Sequence, residues 1–113
     1  MLQYVKMKSN RHERTNIMDN RERINKMEAT LDETGEALRG LEAALDRMEG
    51  VADRMGELFA YYGSAEWYED RELELPPGTR AGVLSEDLVY DAITDTREVS
   101  FRMLDLATDL LKK

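Results

Sequence analysis

The chain has 113 residues, no cysteine, one histidine and a net charge of −8. This length suits a single domain, and the composition excludes thiol nucleophiles, disulfides and cysteine-ligated metal sites. The acidic balance disfavours nucleic acid and anionic membrane surfaces as partners, and every apolar run is far shorter than the ~20 residues of a membrane span. We therefore expect a cytoplasmic protein that carries no cofactor and binds no membrane.

The first 17 residues form a basic leader that lies outside the regular pattern. Residues 1–26 contain seven Lys or Arg and three Asp or Glu, which gives them a net charge of +4. A disordered, solvated tail is one interpretation, and binding of nucleic-acid phosphates is another. We expect a disordered leader over 1–17 and a single helical domain over 18–113. The Lys and Arg side chains before Ile24 are Lys6, Lys8, Arg11, Arg14, Arg21 and Arg23.

From Ile24 to Tyr62, apolar residues recur every seven positions in two sets that are three residues apart, within a helix predicted from about Asp19 to Tyr62. The first set is Ile24, Leu31, Leu38, Leu45, Ala52 and Phe59, and the second is Met27, Thr34, Leu41, Met48, Met55 and Tyr62. This spacing predicts one long coiled-coil-like helix whose weakest point lies near Gly50. A wider apolar stripe in the second half predicts that this half enters a globular core, and that the first half forms an arm.

A short connecting helix is predicted after the long one. Gly63 suits a left-handed helix end, and Ser64 suits the N-cap of a helix that carries Trp67. The segment 76–78, Pro-Pro-Gly, predicts a firm stop and a turn.

The last helix is predicted to begin at Ser85, whose hydroxyl would cap it, and to end near Leu111. Its main apolar stripe is Val89, Ala92, Ile93, Thr96, Val99, Met103, Leu106 and Leu110. We expect it to pack antiparallel on the long helix, which is longer and so keeps Ile24, Met27 and Leu31 without an internal partner. Exposure of such side chains costs about 1.5–3 kcal/mol each. The expected fold is therefore an all-α, three-helix arrangement that dimerises into a bundle through these residues.

Two segments carry a resemblance to a known family. They are residues 61–67, Tyr-Tyr-Gly-Ser-Ala-Glu-Trp, and residues 82–90, Gly-Val-Leu-Ser-Glu-Asp-Leu-Val-Tyr. Together with the long heptad helix, they make residues 21–112 resemble the small bacterial proteins of domain of unknown function 4298. The resemblance implies the same order of helices and a bacterial origin, and it carries no established activity. It also implies a region in which function should be sought: Trp67, Asp70, Ser85, Glu86, Asp87 and Tyr90.

The aromatic residues near these segments suggest a surface that binds another protein, because aromatic side chains dominate contact hot spots. The alternative is a small aromatic core that seals the open end of the helical hairpin. The residues predicted to bind the partner are Tyr62, Trp67, Tyr68 and Tyr90.

Acidic residues in the same region offer a second functional hypothesis. If the two shorter helices faced one another, their carboxylates could hold Mg²⁺ or Mn²⁺, as in a metal-dependent hydrolase. These residues are Glu66, Asp70, Glu86, Asp87 and Asp91. Nucleotide pyrophosphohydrolases of the MazG type are similarly all-α and acid-rich, but the Glu-x-x-Asp motif that they need is absent from this sequence. The sequence therefore favours a non-enzymatic, homodimeric interaction or structural module with an unidentified protein partner, and the hydrolase is the alternative.

Overall fold

The computed structural model describes the backbone of residues 11–113 and the side chains of residues 16–113. Within this range the chain forms helix α1 (Arg11–Tyr61), helix α2 (Ala65–Arg71), a 3₁₀ turn (Gly82–Leu84) and helix α3 (Glu86–Leu111). No strand occurs in residues 11–113. The prediction of an all-α protein with a long first helix is therefore confirmed.

Helix α1 begins earlier than the sequence predicts. It is already formed at Arg11, whereas Asp19 was expected to start it, and it continues through Gly50 to Tyr61. The physical reason is that no Gly or Pro occurs between Arg11 and Asp19 to interrupt the helix. Residues 11–17 of the predicted leader thus belong to α1, and residues 1–10 lie outside the described residues.

The chain divides at Gly50 into two units, and the described part of the first unit is helix alone. Its large apolar side chains on the period-seven positions are between 38% and 64% exposed. They are Ile17, Ile24, Met27, Leu31, Leu38, Leu41, Leu45 and Met48, and we call them the heptad stripe. The sequence interpretation missed Ile17, which stands seven residues before Ile24 and extends the pattern into the supposed leader.

The second unit, residues 50–113, contains the last turns of α1, both shorter helices and the two buried apolar residues of the described chain, Trp67 and Val89. Gly63 has a φ of 77°, so it ends α1 in the left-handed conformation that the sequence predicts. The Ser64 hydroxyl accepts a hydrogen bond from the Trp67 N–H at 3.2 Å, which confirms the predicted N-cap of α2.

Among residues 16–61 of α1, burial of large apolar side chains is confined to the end of the helix. Val51, Met55, Leu58 and Phe59 are half-buried, while the stripe residues before Gly50 are exposed. The expected core around the second half of the helix is therefore seen only in its last three turns.

Helix α3 begins directly after Ser85, as predicted, but the Ser85 side chain makes no capping hydrogen bond. The Ser85 backbone N–H donates to the Gly82 carbonyl at 3.0 Å, which closes the 3₁₀ turn before the helix. Along the predicted stripe Val89 is buried. Farther along α3, four stripe residues are exposed: Val99, Met103, Leu106 and Leu110. The antiparallel packing of α3 on α1 consequently stays a prediction.

Candidate interaction site

Trp67 lies at the centre of the second unit and is 2% exposed. Its indole N–H donates to the Val83 carbonyl at 3.0 Å. The rings of Tyr62 and Tyr68 each meet the indole edge-on at a centroid distance of 5.0 Å, a favourable aromatic geometry. We call the residues around this side chain, 61–71 and 83–89, the Trp67 corner. The arrangement is the small aromatic core that the sequence offered as an alternative, so Trp67 does not present a surface for a partner in this structure.

The hydroxyls of two tyrosines at the end of α1 fix the Trp67 corner. Tyr62 donates to the backbone carbonyl of Glu86 at 3.0 Å, which ties the end of α1 to the start of α3. Tyr61 donates to the Asp70 carboxylate at 2.5 Å. This hydrogen bond, with smaller contributions from desolvation and from the charges of Asp70 and Glu66, raises the pKa of Tyr61 to about 12. Tyr61 therefore remains a donor at every physiological pH.

Arg71 joins the corner through two contacts that the sequence interpretation missed. Its guanidinium lies 4.5 Å from the centroid of the Trp67 ring, and it forms an ion pair with Glu86 at 3.3 Å. The Glu86 side chain is 67% exposed and the Arg71 side chain 36%, so the ion pair contributes at most about 1 kcal/mol. A sequence signal was present, because Arg71 follows Trp67 by four residues on the same helix and so shares its face.

The carboxylates of the alternative metal site are not brought together. Asp70 accepts from Tyr61 and Glu86 pairs with Arg71, so these two acids have separate partners. Among residues 16–113, no three His, Asp or Glu side chains are grouped closely enough to hold a metal ion. The structure therefore does not assemble Glu66, Asp70, Glu86, Asp87 and Asp91 into such a site.

Two of the four aromatic residues predicted to bind a partner are accessible. Tyr68 on α2 is 58% exposed and Tyr90 on α3 is 57% exposed, whereas Tyr62 is half-buried. The segment that carries them, residues 64–91, contains eight Asp or Glu and two Arg. Any partner of these rings would therefore meet a strongly negative surface.

The predicted dimer residues Ile24, Met27 and Leu31 all belong to the exposed heptad stripe. Neighbouring polar groups on this part of α1 bond within the helix. The Arg23 guanidinium donates to the Asn20 side-chain oxygen at 3.0 Å, and the Thr34 hydroxyl donates to the Thr30 carbonyl at 2.7 Å. Asn20 and Thr34 themselves stand on period-seven positions, so the polar members of this face already make hydrogen bonds within the helix.

No helix in the described part of the chain has both the length and the apolar character that crossing a membrane requires.

Comparison with curated proteins gave no match. A family model does match the chain, over residues 24–106, and its description is Domain of unknown function (DUF4298). The matched range begins in the heptad stripe, includes the whole Trp67 corner and ends in α3. The chain belongs to the DUF4298 family.

Proposed function

We propose that this chain is a non-enzymatic interaction or structural module. It forms a homodimer through the heptad stripe and binds a second protein through the exposed rings of Tyr68 and Tyr90. In this proposal the protein works in the bacterial cytoplasm.

The observation that carries the proposal is the exposed heptad stripe. Eight large apolar side chains recur on one face of α1 and are between 38% and 64% exposed. Full burial of such a side chain is worth about 1.5–3 kcal/mol. Burial of the part that is still exposed would therefore contribute about 1 kcal/mol per residue in each copy. A second copy supplies a stripe of the same length and period, and in this proposal it covers residues 38–48 in place of α3.

The helix itself also favours a partner. Most helical stability in proteins comes from packing of an apolar face, and the first unit contains Gly35 and Gly40, each of which costs a helix about 1 kcal/mol relative to Ala. Pairing with a second α1 would supply the missing packing and offset this cost.

The acidic segment 64–91 supports the second part of the proposal. Tyrosine buries a large surface with few rotatable bonds and is enriched at contact hot spots. Tyr68 and Tyr90 are exposed among eight acidic residues. This chemistry favours a partner that presents apolar side chains together with basic ones.

A matched pair of substitutions tests the dimer. Leu31 lies on the stripe and is 64% exposed, while Ala29 is exposed off the stripe two residues earlier. Leu31→Asp removes about 1–2 kcal/mol of burial from each copy. The dimer Kd should therefore rise about 30- to 1000-fold in sedimentation experiments. Ala29→Asp introduces the same charge and should leave the Kd within about threefold. Equal Kd values for the two variants would show that the heptad stripe is not the dimer interface.

The protein-binding surface is tested on α3, where Tyr90 and Phe101 are exposed to nearly the same extent. Tyr90→Ala should abolish capture of a protein from a bacterial lysate by the immobilised chain, and Phe101→Ala should not. Capture that survives both Tyr68→Ala and Tyr90→Ala would show that these rings are not the binding surface.

A further inference from the structure

The orientation of the two copies follows from the polar residues within the stripe. We infer that two α1 helices pair parallel and in register, so that Asn20 faces the Asn20 of the second copy and Thr34 faces its counterpart. This inference rests on the proposed self-association and adds the orientation and register of the interface.

The two period-seven sets differ in polarity. Between residues 16 and 48, the set that contains Ile24 is aliphatic throughout: Ile17, Ile24, Leu31, Leu38 and Leu45. Over the same residues the set that contains Met27 includes two polar residues, Asn20 and Thr34. The polar positions of the interface in this stretch therefore belong to one of the two sets.

Orientation decides which side chains these polar residues would meet. In a parallel, in-register pair of helices, each set faces the same set of the partner, whereas in an antiparallel pair the two sets face each other. An antiparallel dimer would consequently bury the Asn20 amide and the Thr34 hydroxyl against aliphatic side chains. A buried amide without a hydrogen-bond partner is strongly unfavourable.

Asn20 carries more of this argument than Thr34. The Thr34 hydroxyl already donates to the Thr30 carbonyl, so it tolerates an apolar neighbour. The Asn20 oxygen accepts from Arg23, and no bond from its amide nitrogen is found within residues 16–113. A facing Asn20 offers that nitrogen an acceptor, which an aliphatic side chain cannot supply.

The charges beside the stripe are compatible with the parallel pairing. In that arrangement Arg23 of one helix lies beside Glu28 of the other, and symmetry forms this attractive pair twice. The acids Glu42 and Glu49 meet Ala37 and Ala44, so no like charges oppose one another. The two basic N-terminal segments come to the same end, a repulsion that physiological salt screens beyond about 8 Å.

An antiparallel pairing in which position 48 faces position 17 would instead place Arg21 of one copy beside Glu42 of the other. Charge alone thus permits both orientations, and the polar residues decide between them.

Disulfide cross-linking tests the orientation, because the natural chain has no cysteine. In the parallel dimer, position 48 of one copy faces position 48 of the other. The two Cα atoms then lie within the separation of about 4.4–6.8 Å that a disulfide between two introduced cysteines needs. In the antiparallel dimer position 48 faces position 17, about 45 Å from its counterpart along the helix. Mild oxidation of Met48→Cys should therefore give a covalent dimer, and so should Ile17→Cys. Asp46→Cys, off the stripe, measures random collisions and should stay largely unlinked.

Mixing the two cysteine variants completes the test. After subunit exchange, the parallel pairing predicts only disulfides that join 17 with 17 or 48 with 48, which mass spectrometry distinguishes from a 17–48 product. A dominant 17–48 disulfide would overturn the parallel orientation and leave the dimer intact. Sedimentation of the same variants under reducing conditions shows whether they form a dimer without a disulfide. If both the reduced variants and the unmodified chain were monomeric, the proposed function itself would be overturned.

A charge reversal gives a second measurement that needs no cysteine. Glu28→Arg should raise the Kd several-fold because it faces Arg23 of the other copy, and the added substitution Arg23→Glu should restore it. Glu42→Arg should have less effect than Glu28→Arg. The reverse order, with rescue of Glu42→Arg by Arg21→Glu, would indicate the antiparallel arrangement.

Discussion

Replacement of Trp67 by alanine is expected to loosen the Trp67 corner. The Trp67 side chain is 2% exposed, and its N–H is bonded to the Val83 carbonyl. Its ring contacts the side chains of Tyr62, Tyr68 and Arg71. Truncation removes all these contacts and leaves a cavity, and a buried Trp→Ala substitution costs about 3–5 kcal/mol. The second unit has one other buried apolar residue, Val89, so it has little core with which to compensate.

Residue-resolved hydrogen exchange under native conditions measures this loss where it occurs. Since about 1.4 kcal/mol corresponds to a factor of ten, the amides of α2 and of the first turn of α3 should exchange roughly a hundredfold faster or more. The amides of α1 between residues 16 and 48 should keep their rates, because none of the Trp67 contacts involves them.

Tyr68→Ala is the matched control, since Tyr68 is the next residue and loses a ring that is 58% exposed. Loss of its edge contact with Trp67 is worth about 0.5–1.5 kcal/mol, so the same amides should accelerate roughly tenfold at most. If Trp67→Ala accelerated exchange no more than Tyr68→Ala does, the claim that Trp67 anchors α2 to the 3₁₀ turn before α3 would be refuted.

Three further predictions concern single contacts. Because the pKa of Tyr61 is raised to about 12 from the ordinary ~10, its contribution to stability should be complete below pH ~10 and should be lost as the pH rises to ~12. Denaturant titrations across this range should show the loss in the unmodified chain and not in Tyr61→Phe. Arg71→Lys should lower stability by about 0.5–1 kcal/mol, because lysine lacks the planar group that stacks on Trp67, and a melting temperature unchanged at low salt would contradict this. Gly63→Ala should destabilise by about 1–2 kcal/mol because its φ is 77°. Gly40→Ala is the control: its new methyl group would meet no other atom within 4 Å, and it should stabilise α1 by about 1 kcal/mol. A melting temperature raised by Gly63→Ala as well as by Gly40→Ala would show that Gly63 is not a left-handed helix end.

Local patterns in the sequence were sufficient to predict the helices and two of their ends. The seven-residue period predicts α1, and Gly63 and Ser64 specify the junction with α2 through backbone conformation and one short-range hydrogen bond. The start of α1 was predicted too late because Asp19 is a good cap residue, yet it remains inside the helix when no breaker precedes it. A residue with good capping chemistry can start a helix, but it can also lie inside one, as Asp19 does.

The contacts of the corner could not be predicted in the same way. The bonds from Trp67 to Val83 and from Tyr62 to Glu86 join residues far apart in sequence, and no period encodes them. The predicted cluster of carboxylates is not formed, for a related reason. A spacing of four residues places two carboxylates on one face of a helix, but it does not determine which other helix lies opposite that face. The chemistry of the aromatic group was foreseen, while its division into a buried Trp67 and exposed Tyr68 and Tyr90 required the structure.

Sedimentation equilibrium of the unmodified chain, from micromolar to millimolar concentration, tests the claim that the exposed stripe of α1 pairs with a second copy. We expect an apparent mass that rises with concentration and levels off at twice the mass of one chain. A single species with the mass of one chain at the highest concentration would contradict it.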